Sequence, residues 1–273
     1  MLNRRLLRVK VFQSLYAHYL DLGATTAVHE SFLENSLKQL EEFYHFVLNL
    51  PVELKYFVET DHNPELTKFK PTEKDIKTGR TFIYNTLINK IGENEEFNKK
   101  LNKVKYKWQN HKEVLLIVFN TFKSSEYFQK FIEEPERNFE AQKKLLLTFF
   151  SEFLPTCEEF DQQMEEFTIN WGTDKKVVLG SCVKSIELIQ ENENNSFLID
   201  MHDDLGEDLA FSKTLYRKTL INDRVFEDLI SQRTKKWDSD RIAVVDMILM
   251  KMALCEILEF PEIPVKVSIN EYL

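Results

Sequence analysis

Glycine and proline are scarce in this sequence, with 6 and 7 residues among 273. Sandwiches and nucleotide-binding sheets need more glycine at their turns, so this scarcity excludes them and leaves long helices joined by few turns. Cysteine is also sparse. Cys157, Cys182 and Cys255 are odd in number and far apart, which gives neither a disulfide framework nor a metal cluster and fits a reducing cytoplasm. No apolar run approaches the length that crosses a bilayer, and the first residues lack the apolar core and small-residue cleavage site of a secretion signal. Neither a membrane span nor export is expected. What is abundant is 43% hydrophobic and 30% charged residues, enough for one sizeable core or two smaller ones. The expected class is all-α.

Charge is distributed unevenly. Residues 1–20 carry Arg4, Arg5, Arg8 and Lys10 and no acid, while the whole chain has a formal charge of −9. A basic end on an acidic body confines a polyanion to that end, although most short basic termini are merely solvated. Helical spacing sharpens the signal. Val9, Phe12, Tyr16 and Tyr19 form one apolar stripe and Val11, Leu15 and Leu22 another, with Lys10, Gln13, Ser14 and Asp21 opposite them. The arginines then stand at a helix N-terminus, where the dipole disfavours cations by up to about 1 kcal/mol each. Phosphate is a ligand that would favour them there, since a guanidinium binds it bidentately. Gly23 is the expected C-cap. Tyr16 is open to either core packing or base stacking.

Further along, an apolar-periodic segment runs from Val28 to Val58 with a bend expected near Pro51, followed by a loop over residues 61–71. Helices are expected over 73–91, 94–108, 111–132, 137–169 (broken near Pro155) and 174–190. Phe149, Phe150 and Phe153 read as core. The acidic stretch 191–208 reads as a connection. Its Asp200, Asp203, Asp204, Glu207 and Asp208 do not fit a calcium loop, because that register puts Met201 at a ligand position. The sequence has no nucleophile elbow, no phosphate-binding glycine loop and no ligand-like pairing among its histidines, so no enzyme, cofactor, metal or small-molecule substrate is expected.

The final quarter predicts short helices at Lys213–Thr219 and Arg224–Arg233. After them come Trp237, the capping candidates Asp238 and Ser239, and a helix from Asp240 to Leu258 that is apolar nearly all round. That helix is expected to be central and mostly buried, with its charges Asp246, Lys251 and Glu256 paired or facing a partner. Pro264 then opens a last helix.

These residues resemble a known family. Asp246, Lys251-Met252-Ala253-Leu254, Glu256-Ile257-Leu258, then Ile263-Pro264, Val267 and Ile269-Asn270-Glu271, are similar to the NusB signature. Arg4-Arg5, Arg8, Gln13 and Leu15-Tyr16 resemble its arginine-rich first helix. The likeness covers about 22 residues at the start and residues 208–273 at the end, and looks most like the enlarged NusB proteins of Bacteroidetes-type bacteria.

The resemblance implies a pair of small helical subdomains, at residues 1–42 and 206–273, interrupted by a helical insertion at 43–205. It implies a transcription antitermination factor, cytoplasmic, that binds boxA-type single-stranded RNA together with the ribosomal protein NusE and acts on RNA polymerase in ribosomal RNA operons. Arg4, Arg5, Arg8 and Lys10 would contact the RNA with Gln13 and Tyr16 beside them. Asp246 would lie at a partner surface, and Asn270 and Glu271 would be structural. Lys251 stands where the family usually has arginine, and family members continue past the position of Leu273, so an incomplete second subdomain would expose an apolar groove. Two rivals are a protein-interaction adaptor that does not bind RNA and a domain serving an RNA-modifying enzyme. Three or four phosphate contacts would give a log–log salt slope of roughly −2 to −3.

Overall fold

The computed structural model describes residues 4–21, 23–67, 69–134, 136–192, 196–233 and 242–273, and every regular element among them is helical. In chain order these are α1 (Arg4–Leu20), α2 (Thr26–Leu48), α3 (Leu50–Asp61), α4 (Pro64–Thr67), α5 (Glu73–Ile83), α6 (Thr86–Glu93), α7 (Glu95–Leu101) and α8 (Lys112–Ser124). There follow α9 (Glu126–Glu133), α10 (Phe139–Thr148), α11 (Glu158–Phe167), α12 (Trp171–Leu188), α13 (Leu205–Ile221), α14 (Asp223–Arg233), α15 (Val244–Glu259) and α16 (Val265–Tyr272). The chain divides into two compact units, residues 1–39 with 202–273 and residues 40–201.

In the first unit, α1 packs against α13 and α15, and α14 and α16 complete the cluster around α15. Leu7, Val11 and Leu15 of α1 meet Leu33 and Leu37 of α2, Leu215 and Tyr216 of α13, and Ile248, Met252 and Cys255 of α15. Helix α1 begins at Arg4, earlier than the Val9 start read from the stripe, so Leu6 and Leu7 join the inner face. That shifts the core away from the expected stripe: Val9 and Phe12 are half-buried and Tyr16 is exposed. Ser14 is buried instead, its hydroxyl donating to the His29 carbonyl. Gly23 does not end the helix in a left-handed conformation, since no described glycine has positive φ. The Asp21 carboxylate takes the Gly23 and Ala24 N–H groups instead.

Helix α13 starts at Asp204, whose carboxylate accepts from the Gly206 and Glu207 N–H groups at 2.7 and 3.1 Å. Asp208 holds His202 at 2.8 Å, and the other nitrogen of that ring lies 3.2 Å from the Leu37 carbonyl. The acids of the connection thus serve as cap and anchor. Trp237, Asp238, Ser239 and Asp240 lie outside the described residues.

The expectation for α15 needs correction. Only Ile248, Lys251, Met252, Cys255 and Glu256 are buried on it, whereas Val244, Val245 and Leu258 are exposed. The reason is periodicity: its neighbours cover one side of the cylinder, and an apolar sequence all round does not bring a second layer of its own. On α16, Val265, Val267 and Ile269 are likewise exposed.

In the second unit, Asn49 separates α2 from α3 with Pro51 in the first turn of α3, where its missing N–H costs nothing. The segments read as single helices over 73–91 and 111–132 are each divided by a capping residue, Asn85 before α6 and Ser125 before α9. Between α10 and α11 the chain passes through a π-turn at Phe149–Phe153 and a 3₁₀ turn at Leu154–Thr156, which places the break at Pro155. Phe149, Phe150 and Phe153 are buried, and Phe122 lies 4.8 Å from both Phe149 and Phe153. The Trp108 ring stacks on Phe46 at 4.2 Å, and its indole N–H donates to the Phe46 carbonyl.

Candidate nucleic-acid interface

The first turn of α1 contains no acid, so nothing on that helix offsets its arginines. Arg4 and Arg5 are both exposed. Arg4 reaches Glu207 at 3.5 Å and lies over the Phe211 ring at 5.3 Å. With these side chains 46% and 72% exposed, the ion pair is of the kind that contributes about 0–1 kcal/mol and is readily exchanged. Arg5 has no ion pair among the described residues.

Arg8 behaves differently. It is buried, and its guanidinium binds Glu256 bidentately at 2.8 and 2.7 Å. Glu256 is completely enclosed and also accepts from Ser268 at 2.7 Å and Tyr272 at 3.1 Å. Glu271 adds a second carboxylate 3.6 Å from Arg8. Burial alone would raise the Glu256 carboxyl, but the hydrogen bonds from Arg8 and Ser268, with the guanidinium charge, hold it below the ordinary value. Arg8 therefore clamps α1 to α15 and α16. Lys10 is also fully buried. Both residues were expected among the RNA contacts, and both are corrected to interior positions: the helix starts a turn earlier than the stripe implied, so residues 8 and 10 fall within its packed body.

What stays outside is a strip of α1. Arg5, Val9, Phe12 and Tyr16 follow one another at helical spacing, half-buried or exposed, and Phe12 and Tyr16 stack with ring centres 6.0 Å apart. Gln13 is half-buried beside them. The strip joins guanidinium groups at one end to an accessible aromatic face at the other, the combination by which single strands are gripped: cations on phosphates, rings on bases. The aromatic pairing of Phe12 with Tyr16 was not singled out from sequence, although the spacing of four residues carried the signal.

The charges of α15 separate into two kinds. Lys251 is buried and bridges Asp223 at 2.7 Å and Glu227 at 3.0 Å on α14, with its ammonium 5.4 Å from the centre of the Tyr19 ring, whose hydroxyl bonds Asp223. An ammonium donating to two separate carboxylates does here what a bidentate fork would do to one. Asp246 is exposed. Asn270 is exposed, whereas Glu271 is tied to Arg8.

Residues 180–273 match the model of the NusB family. The chain is 38% identical over 61 residues to the transcription antitermination protein NusB of Salinibacter ruber, covering 22% of this chain and 38% of that protein. It is 38% identical over 62 residues to the same protein of Oceanobacillus iheyensis, covering 23% of this chain and 49% of that one. With the protein of Geotalea uraniireducens it shares 27% identity over 103 residues, 37% of this chain and 68% of the relative. The matched segments of the first two thus span less than half of those relatives. No solved structure matches the chain. The similarity to the NusB family thus lies in residues 180–273.

Proposed function

We propose that this chain is a non-enzymatic, cytoplasmic transcription antitermination factor that binds single-stranded RNA of the boxA type through the outer strip of α1. In this reading it acts together with NusE and delivers the RNA to RNA polymerase in ribosomal RNA operons, with Asp246 on a partner-facing surface. The observation that carries it is the exposed Arg4–Arg5 tip, continuous with the Phe12–Tyr16 face, on a chain whose net charge is −9. On an acidic body, such a tip attracts nucleic acid where the net charge disfavours it.

The test is a titration of the full chain with boxA-like RNA, with and without NusE, by fluorescence anisotropy. Arg4→Ala and Arg5→Ala should each weaken binding roughly tenfold, the worth of one charge-assisted hydrogen-bonding group. Tyr16→Ala should weaken it further by loss of stacking. Unchanged affinity in the double arginine variant, with NusE association preserved, would leave the adaptor reading in its place.

A further inference from the structure

The second unit contains a cleft of about 260 Å³ lined by Arg80, Arg137, Asn85, Tyr84, Phe131 and Gln142, together with Thr81. Two guanidinium groups and no carboxylate line it, in a chain with more acids than bases. Arg80 makes one bond outside the cleft, from Nη2 to Glu65 at 2.7 Å, and its remaining N–H groups have no partner among the described residues. Arg137 is half-buried and has no ion pair among the described residues. Its backbone is held by Gln142, whose amide nitrogen donates to the Arg137 carbonyl at 3.0 Å.

Asn85 supplies an independent observation. The residue is buried, and its Oδ1 accepts from the Leu87 and Ile88 N–H groups at 3.0 Å each to cap α6. That role fixes which way the amide points, because only the oxygen can accept. The Nδ2 donor is left on the cleft side with no acceptor among the described residues. Open to solvent on that side, this donor is available to an acceptor that enters the cleft. The other end of the cleft is aromatic: Tyr84 is 67% exposed at the rim and Phe131 is buried at the floor. The exposed Thr86 N–H is not available to a ligand, since Gln142 Oε1 already takes it at 2.8 Å.

We propose that this cleft binds a nucleotide phosphate, with Arg80, Arg137 and Asn85 Nδ2 on the phosphate oxygens and the Tyr84 ring against the base. Guanidinium groups and an amide donor suit the several oxygens of a phosphate, and a ring face accepts any base. Such a nucleotide is either free or the terminal residue of an RNA. The site is separate from the α1 strip and does not depend on the RNA reading of that strip.

The test is calorimetric titration at low salt of the full chain with adenosine monophosphate. A parallel titration uses a short 5′-phosphorylated oligoribonucleotide, run in the Arg4→Ala/Arg5→Ala/Tyr16→Ala background so that the cationic tip and the exposed ring of the α1 strip are both removed. Saturable binding of at least one probe is expected, weakened roughly tenfold or more by Asn85→Asp and by Arg137→Gln. Asn85→Asp keeps the oxygen that caps α6 while replacing the free donor with an acceptor, so it preserves the fold and removes the function. Arg137→Gln changes a side chain with no ion pair among the described residues and carries the test should the first variant melt early. Binding of the mononucleotide identifies a free ligand, and binding of the oligomer alone identifies an RNA end. Absence of saturable binding by both probes, or equal affinity in wild type and Arg137→Gln, overturns the proposal.

Discussion

Arg8 and Glu256 are 248 positions apart in sequence and meet inside the first unit as a buried, doubly hydrogen-bonded pair. Removing one partner of such a pair leaves the other charged and enclosed, at a cost of about 3–5 kcal/mol. Arg8→Ala should therefore lower the free energy of unfolding, measured by urea titration, by that amount, and RNA affinity measured on the folded fraction should stay near wild type. An equally large loss of affinity in the folded fraction would return Arg8 to the interface. Acidity probes the same pair. The Glu256 carboxyl is held below its ordinary value of 4.5, so its contribution is complete above pH 4.5 and is lost as pH falls through the lower, folded-state value. His45 titrates earlier. Burial pushes its imidazole down from 6.5 to about 4, and its Nε2 has no hydrogen-bond partner among the described residues. In the unfolded chain this ring takes a proton near pH 6.5, while the folded chain refuses it until about 4, so stability is full above 6.5 and declines by roughly 3 kcal/mol across that window. Unfolding midpoints measured from pH 7 to pH 4 should fall less steeply in His45→Gln. Superimposable pH profiles for variant and wild type would refute the assignment.

Two glycines in helices make opposite predictions. A Cβ at Gly180, within α12, meets nothing within 4 Å, so Gly180→Ala should raise stability by about 0.5–1 kcal/mol through helix propensity alone. A Cβ at Gly79, in α5, would stand 2.8 Å from the Pro64 ring of α4, which is rigid and cannot step aside. Gly79→Ala should be destabilising, and thermal melts of the pair separate propensity from packing. The same contrast shows what was legible in the sequence. The all-helical class, an interruption near Pro51, the disruption at Pro155 and the buried Phe149–Phe153 cluster follow from periodicity and from where proline can sit. The ends of α5 and α8 did not show, because Asn85 and Ser125 cap as readily as they sit exposed on a helix, and only tertiary packing decides. Burial along α15 was misjudged for a related reason: its pattern is apolar in all directions, and the number of neighbours a helix receives is not written in its own residues. The interior place of Arg8 was hidden in the same way. Its partner lies at the other end of the chain, and a guanidinium near a basic N-terminus reads as exposed until Glu256 is seen to enclose it.

For the molecule as a whole, a net charge of −9 and an exposed cationic tip reduced to Arg4 and Arg5 determine how RNA binding should respond to salt. Each phosphate contact on a single strand contributes about −0.7 to the slope of log affinity against log salt. Four contacts, counting Arg8 and Lys10, would give a slope near −2.8, and two give about −1.4. The structure favours the smaller figure, because a buried guanidinium already neutralised by Glu256 displaces no counterion when RNA arrives. Stacking on Phe12 and Tyr16 adds affinity without adding slope, so the intercept at high salt should remain appreciable. Anisotropy titrations across a range of salt concentrations separate these terms. A slope near −1.4, falling toward zero in Arg4→Ala/Arg5→Ala, is the outcome expected of an interface confined to the outer strip of α1. A slope of −3 or steeper, insensitive to that double substitution, would mean that the phosphates are held elsewhere on the chain.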